Sequence, residues 1–118
     1  AIQHLDRALA LARGGLRQQA LAEFQAALKV APNYALAWYN MGYLLLTTGD
    51  TAQATAALER AVTLDPNYPR AHYHLARAYL AQGRKQEARK HLEECLRLDP
   101  FGPVADEISR TLAEWSQQ

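Results

Sequence analysis

The chain has 118 residues, of which 49% are hydrophobic and 21% are charged, and its formal net charge is +1. This composition is typical of a folded globular protein and excludes a disordered one. A charge so near zero creates no global field for nucleic acid or an anionic membrane. No apolar run reaches the roughly 18 residues that a spanning helix needs. We therefore expect no membrane insertion and favour a soluble, cytoplasmic protein over a secreted one.

No basic-then-apolar leader opens the chain. The sequence starts at Ala1 inside a helical pattern, which is compatible with a piece of a longer protein.

Three residue types recur at intervals of 34 positions. They are the glycines Gly15, Gly49 and Gly83, the alanines Ala20, Ala54 and Ala88, and the prolines Pro32, Pro66 and Pro100. A 34-residue period with helix-compatible segments between the breakers predicts repeated helix–turn–helix units, which bury their apolar faces only by stacking. Any binding function is then expected on a surface that the stacked repeats build together.

In chain order, the period divides residues 1–102 into blocks 1–34, 35–68 and 69–102, each with two helices. The predicted helices cover residues 2–14, 18–30, 36–48, 52–64, 70–82 and 86–98. Glycine ends the first helix of each block, because a residue without Cβ adopts the left-handed conformation easily. Proline ends the second helices, since it lacks an amide proton and restricts the residue before it. Pro69 suits the first turn of its helix.

A stripe of apolar and small residues on each predicted helix indicates how the pairs pack. In the second block Trp38, Met41, Gly42 and Leu45 follow the i, i+3, i+4, i+7 pattern of one helix face. Helices of about 13 residues are marginal alone in water, so this packing must stabilise them.

A seventh helix is predicted within residues 103–116. Its apolar stripe consists of Val104, Ile108, Leu112 and Trp115, and acidic side chains in its first turn, among them Glu107, favour its start through the helix dipole. We interpret it as a cap that covers the last apolar face of the stack. The alternative is the first helix of a truncated fourth repeat.

The second block resembles the tetratricopeptide repeat. The residues that carry the resemblance are Trp38, Gly42, Ala54, Ala61 and Pro66, with Gly49-Asp50 at the turn. The resemblance covers residues 1–102 as three repeats, and it implies an all-α, right-handed superhelical solenoid of three antiparallel helix pairs plus one capping helix. It further implies that the concave surface holds an extended or helical peptide. Length and composition agree with a single domain over residues 1–118.

Residue types needed for catalysis are sparse and poorly placed. Serine occurs only at Ser109 and Ser116, and Cys95, the single cysteine, takes the repeat position of Ala27 and Ala61. We predict a small buried thiol there, with no base at helical reach. The chain is therefore expected to be no enzyme, with no catalytic residue and no cofactor.

The histidines are expected to pack and not to bind metal. His4 and His72 replace Trp38 in the repeat, which predicts flat rings against the partner helix. His72 and His74 lie two positions apart and point to different helix faces. No metal site is predicted.

The positions that flank the packing stripe on each first helix share another face. In the first two repeats they are Ile2, Leu5, Asp6, Leu9, Ala12, Arg13, Leu36, Tyr39, Asn40, Tyr43, Leu46 and Thr47, and in the third they are Arg70, Tyr73, His74, Arg77, Leu80 and Ala81. We predict a groove along these helices whose binding residues are Leu5, Leu9, Tyr39, Asn40, Tyr43, Arg70, Tyr73, His74 and Arg77.

The chemistry of these side chains points to a protein or peptide partner that carries an acidic group. Tyrosine supplies rigid contact area with a polar tip, Arg70 and Arg77 suit a carboxylate or phosphate, and the Asn40 amide suits a peptide backbone. An unoccupied groove would leave Leu5 and Leu9 exposed, which also favours a partner. The alternative is that the tyrosines only cover the groove and the arginines are solvated.

The resemblance allows a more specific comparison. Tetratricopeptide co-chaperones bind the acidic C-terminus of heat-shock chaperones through five positions that here hold Leu5, Leu9, Asn40, Arg70 and His74. Only Asn40 and Arg70 suit that clamp. A dicarboxylate clamp is therefore not predicted, and a weaker interaction with one acidic group stays open.

Three other functions remain as alternatives. The first is a homo-oligomer that forms through the end faces of the stack, where Leu5 and Leu9 lie. The second is that the chain is the interaction domain of a larger enzyme. Nucleic-acid binding by the basic stretch 70–97 is disfavoured because acidic residues interrupt it.

Overall fold

The computed structural model describes residues 2–117, and the regular structure in that range consists of seven helices. They are α1 (Ile2–Arg13), α2 (Arg17–Val30), α3 (Ala35–Thr47), α4 (Thr51–Leu64), α5 (Pro69–Ala81), α6 (Lys85–Leu98) and α7 (Ala105–Ser116). The predicted all-α architecture of three helix pairs plus one helix is confirmed. None of these helices is both long and apolar enough to cross a membrane.

The helix ends agree with the turn chemistry of the repeat. Gly15, Gly49 and Gly83 have φ of 78°, 88° and 75°, so all three adopt the left-handed conformation that the sequence predicts after the first helices. Pro69 occupies the first turn of α5. The last helix begins at Ala105, two residues later than expected, because Pro103 and Val104 still belong to the preceding turn.

The helices divide into two compact units, one formed by residues 2–66 and the other by residues 67–117. In the first unit α1 pairs with α2 and α3 with α4, and α3 also packs on α2 and α1. In the second unit α5 pairs with α6, and α7 packs on α6. Turns of about three residues join the helices of each pair, so the two helices of a pair run antiparallel.

In the core of the first unit, helices α3 and α4 approach each other very closely. Phe24 and Leu58 are the large side chains that it buries fully. A Cβ placed on Gly42 would lie 2.6 Å from Leu58 Cγ. Because Gly42 has no side chain, α4 can pack this close to α3. Trp38 links α3 to the turn that precedes it by donating from Nε1 to the carbonyl oxygen of Pro32 at 2.8 Å.

The core of the second unit contains the predicted small residues. Leu75 and Ile108 are its large, fully buried side chains. Cys95 is only 3% exposed, which confirms a buried thiol. Burial, followed by the charge of Asp99, raises the pKa of this thiol, so it is a poor nucleophile near neutral pH.

The two histidines that replace Trp38 differ. His72 is 5% exposed, and its ring stacks on His91 with centroids 5.2 Å apart, as predicted for a flat packed ring. His4 is wrongly predicted, because it is only partly buried and its Nδ1 lies 2.6 Å from the Glu23 carboxylate. This imidazole is therefore held by a hydrogen bond to a carboxylate on α2.

Candidate functional site

A groove of about 320 Å³ lies between α1 and α3 of the first unit. Its lining residues are Leu9, Ala12 and Arg13 of α1, Phe24 of α2, and Asn40, Tyr43, Leu44 and Thr47 of α3. All of these except Phe24 and Leu44 occupy the flanking positions that the repeat register assigns to a groove. The structure therefore brings Leu9, Asn40 and Tyr43 together.

The groove is apolar inside and polar at its rim. Phe24 is 1% exposed, while the Tyr43 side chain stays 43% exposed. The Tyr43 ring meets Tyr39 edge-to-face at a centroid distance of 6.4 Å, which limits its rotation. Asn40 Nδ2 donates to the Leu36 carbonyl oxygen at 2.9 Å, and this bond orients the amide. The groove thus combines an apolar floor with an oriented amide at its wall.

Two predicted groove residues are structural instead. Leu5 and Tyr39 are each 4% exposed. Leu5 packs in the hydrophobic cluster of the first unit, with Ala8, Phe24 and neighbouring side chains. The expectation that an unoccupied groove leaves Leu5 exposed is therefore wrong. Leu9 is partly buried against the same cluster, so its exposure is also smaller than expected.

In the second unit the predicted residues lie along α5. Arg70 and Arg77 are exposed, and Tyr73 and His74 are partly buried. The guanidinium carbon of Arg77 lies 5.9 Å from the centroid of the Tyr73 ring. The Tyr73 hydroxyl donates to the two carboxylate oxygens of Glu107 on α7, each at 3.1 Å. We call the surface formed by Arg70, Tyr73, Arg77 and Glu107 the α5 face.

His74 supplies no positive charge to the α5 face at neutral pH. Its ring meets Tyr73 edge-to-face at 5.2 Å. Burial, followed by the charges of Arg77 and Arg70, lowers the pKa of His74 to about 4. The cationic groups of the α5 face are therefore the two arginines.

Glu107 is the functional candidate that sequence reasoning missed. It lies one repeat length, 34 residues, after Tyr73, so continuing the repeat register into α7 places it on the same helix face. From sequence, Glu107 is expected only to favour the start of this helix. Burial, followed by the hydrogen bond and charge of Glu107, raises the pKa of Tyr73.

The end of α7 meets the start of α6 through a further contact that the sequence does not reveal. The Trp115 ring lies 5.0 Å from Lys85 Nζ and 5.6 Å from the Arg89 guanidinium carbon. These cation–π contacts hold Trp115 against α6.

In residues 2–117 no three His, Cys, Asp or Glu side chains are grouped as metal ligands would be.

Several solved structures have a fold similar to that of this chain. The chaperone SycD of the Yersinia enterocolitica type III secretion translocator matches with a TM-score of 0.87 and 21% identity, over 95% of this chain and 80% of its own. The first TPR of Spaghetti (RPAP3), bound to HSP90 peptide SRMEEVD, matches with a TM-score of 0.85 and 21% identity, over 95% and 92%. These identities show the fold alone.

MamA is a third structural relative. It matches with a TM-score of 0.78 and 24% identity over 82% of this chain, and the chain spans only 57% of the MamA length. No curated protein matches this chain in sequence.

The family comparison covers most of the chain. The tetratricopeptide repeat model matches residues 5–69 and again residues 39–103. These two overlapping matches contain all three predicted repeats except residues 1–4, and they start 34 residues apart, the period of the recurring glycines and prolines. The chain therefore belongs to the tetratricopeptide repeat family.

Proposed function

We propose that this chain is a non-enzymatic protein–protein interaction module that binds a peptide segment of a partner in the groove between α1 and α3. Membership of the tetratricopeptide repeat family supports an interaction module. The observation that carries the finer proposal is the groove itself, in which Leu9, Asn40 and Tyr43 line one trough of about 320 Å³.

The size and chemistry of the trough favour a peptide over a cofactor. Pockets that enclose small molecules have volumes of about 300 to 1,000 Å³. This groove lies at the lower end of that range and is open between α1 and α3, so it accommodates one or two side chains of a longer ligand. The apolar walls contribute burial, and the Asn40 amide offers a hydrogen-bonding group to a peptide backbone.

The structural relatives support a peptide or protein ligand. The RPAP3 domain is solved with an HSP90 peptide, and SycD is a translocator chaperone. An acidic group of the partner would bind on the α5 face, where Arg70 and Arg77 are exposed. Scaffolding or assembly of partner proteins is the role that such a module serves.

The test uses Tyr43→Ala, which removes the exposed ring from the groove wall. A peptide selected from a random display library on the intact chain serves as the ligand, and its dissociation constant is measured by fluorescence anisotropy. We expect binding to weaken about 5- to 30-fold, the loss typical of an aromatic anchor at an interface. The thermal midpoint should change little, because 43% of the Tyr43 side chain is exposed.

Val30→Ala is the matched control. Val30 is a 65% exposed apolar residue at the end of α2 and is absent from the groove lining. The control should bind the selected peptide as the unchanged chain does. Equal affinities of Tyr43→Ala and Val30→Ala would contradict the groove assignment.

Self-association is an alternative function that the sequence leaves open. It depends on exposed leucines at an end face, and the burial of Leu5 at 4% exposure removes part of that argument. A sedimentation mass that rises with concentration would favour it over the peptide-binding module.

A further inference from the structure

A carboxylate of the chain itself already lies on the α5 face. Both Glu107 oxygens accept from the Tyr73 hydroxyl at 3.1 Å. Glu107 stands in the first turn of α7 and is solvent-exposed. The contact thus joins two helices of the second unit through the ends of two side chains.

The groups on α5 beside Tyr73 suit an acidic ligand. The Arg77 guanidinium carbon lies 5.9 Å from the Tyr73 ring, and Arg70 is exposed on the same helix. His74 is neutral at pH 7, since its pKa is about 4. The phenol hydroxyl and the two guanidinium groups are therefore the groups on α5 that stabilise an anion.

We propose that Glu107 is an intramolecular competitor for acidic ligands: an acidic peptide binds the α5 face by displacing the Glu107 carboxylate from Tyr73. This inference rests on the proposed peptide-binding function and names the residue that limits its acidic-group preference. The ligand class is a peptide with more than one carboxylate.

The displacement requires only a side-chain rotation. Ala105 and Ile108 anchor α7, with 6% and 1% exposure, and both stay in place when the Glu107 side chain turns towards solvent. Rotamer changes of exposed side chains are fast and do not require α7 to unfold. The competition therefore costs the hydrogen bond to Tyr73 and little else.

The consequence is selectivity against peptides with an isolated acidic residue. A tethered carboxylate has a high effective concentration at its site. A ligand with one carboxylate only replaces an equivalent interaction, whereas a ligand with several also gains contacts with the arginines. Competition from within the chain thus acts as a specificity device.

The experiment compares Glu107→Gln with Asp106→Asn in the full chain. Both substitutions remove one negative charge from the first turn of α7, and only Glu107 contacts Tyr73. The probe is fluorescein-labelled SRMEEVD, with an amidated SRMQQVN peptide as its counterpart without carboxylates. Anisotropy at low salt should show about fivefold tighter binding of the acidic probe to Glu107→Gln, the size expected when one charge-assisted hydrogen bond no longer competes.

Asp106→Asn should change the affinity less than about twofold, because its charge acts only through screened solvent. Equal gains in the two variants would overturn the inference, since a general charge effect then explains them. No gain for Glu107→Gln, or no binding of SRMEEVD by any variant, would also overturn it. The groove of the first unit is judged separately by Tyr43→Ala, so failure of one proposal is distinguishable from failure of the other.

A second measurement checks the contact itself. Glu107 raises the pKa of Tyr73, so Glu107→Gln should move one tyrosine titration, followed by ultraviolet absorbance, towards lower pH. Asp106→Asn should leave the tyrosine titration as it is. An unchanged titration in Glu107→Gln would overturn the inference even if the affinity rose.

Discussion

At the scale of single residues, His74 shows how a groove position becomes sensitive to pH. Burial and two neighbouring arginines lower its pKa from 6.5 to about 4. The unfolded chain therefore takes up a proton near pH 6.5, whereas the folded chain does so only near pH 4. The free energy of unfolding consequently falls as the pH decreases through this window.

His74→Gln should remove this decrease in the free energy of unfolding at acidic pH, while it keeps a polar side chain at the position. Between pH 7.5 and pH 5 the variant should lose about 1 kcal/mol less stability than the unchanged chain, a value reduced for the partial exposure of His74. Urea unfolding at the two pH values measures the difference. The carboxylates with lowered pKa, Glu23 beside His4 and Glu94 beside Arg97, lose their contribution below pH 4.5 and do not interfere. Parallel pH profiles would show that His74 is not buried as described.

The sequence predicts which residues share the groove face, but not how deeply each one is buried. The repeat register groups Leu9, Asn40 and Tyr43 on one surface, and in the structure these three side chains line one groove. It does not reveal that Leu5 and Tyr39 are buried at 4% exposure, because burial depth depends on the side chains of neighbouring helices. Helical periodicity specifies the direction of a side chain and not the distance to the next surface.

At the scale of the helix pair, Gly42 controls the separation of α3 and α4. Gly42→Ala would place a methyl group 2.6 Å from Leu58 Cγ and 3.3 Å from the Leu58 backbone nitrogen. The backbone cannot move as easily as the side chain, so overpacking should outweigh the helix propensity gained from alanine. We expect a loss of about 1 to 2 kcal/mol in the free energy of unfolding, measured by urea denaturation.

Gly14→Ala is the control for this substitution. A Cβ on Gly14 would meet its nearest atoms at 3.6 Å, an ordinary contact distance. The control should keep its stability within about 0.5 kcal/mol, the range of substitutions away from special sites. A Gly42→Ala variant as stable as Gly14→Ala would mean that α3 and α4 separate freely.

At the scale of the whole molecule, the single domain over residues 1–118 remains a proposal. The repeat pattern continues across residue 66, and repeats stabilise their neighbours through shared interfaces. We therefore expect both units to unfold together. Trp38 lies in the first unit and Trp115 in the second, so each unit has its own fluorescent probe.

The variants Trp38→Phe and Trp115→Phe each leave one tryptophan to report on its unit. In both variants the urea midpoint from fluorescence should coincide with the midpoint from far-ultraviolet circular dichroism, as cooperative unfolding requires. Fluorescence midpoints that fall on opposite sides of the circular dichroism midpoint would identify two domains that unfold independently.

The sequence by itself determined the turns and the repeat family of this protein, and the helix bounds to within two residues. Glycine and proline restrict backbone conformation locally, so their 34-residue recurrence is readable without any long-range contact. Only the tertiary structure decided that Leu5 and Tyr39 are buried and that Glu107 meets Tyr73. Those facts depend on how far side chains of different helices reach across a gap, which is a property of packing and not of periodicity.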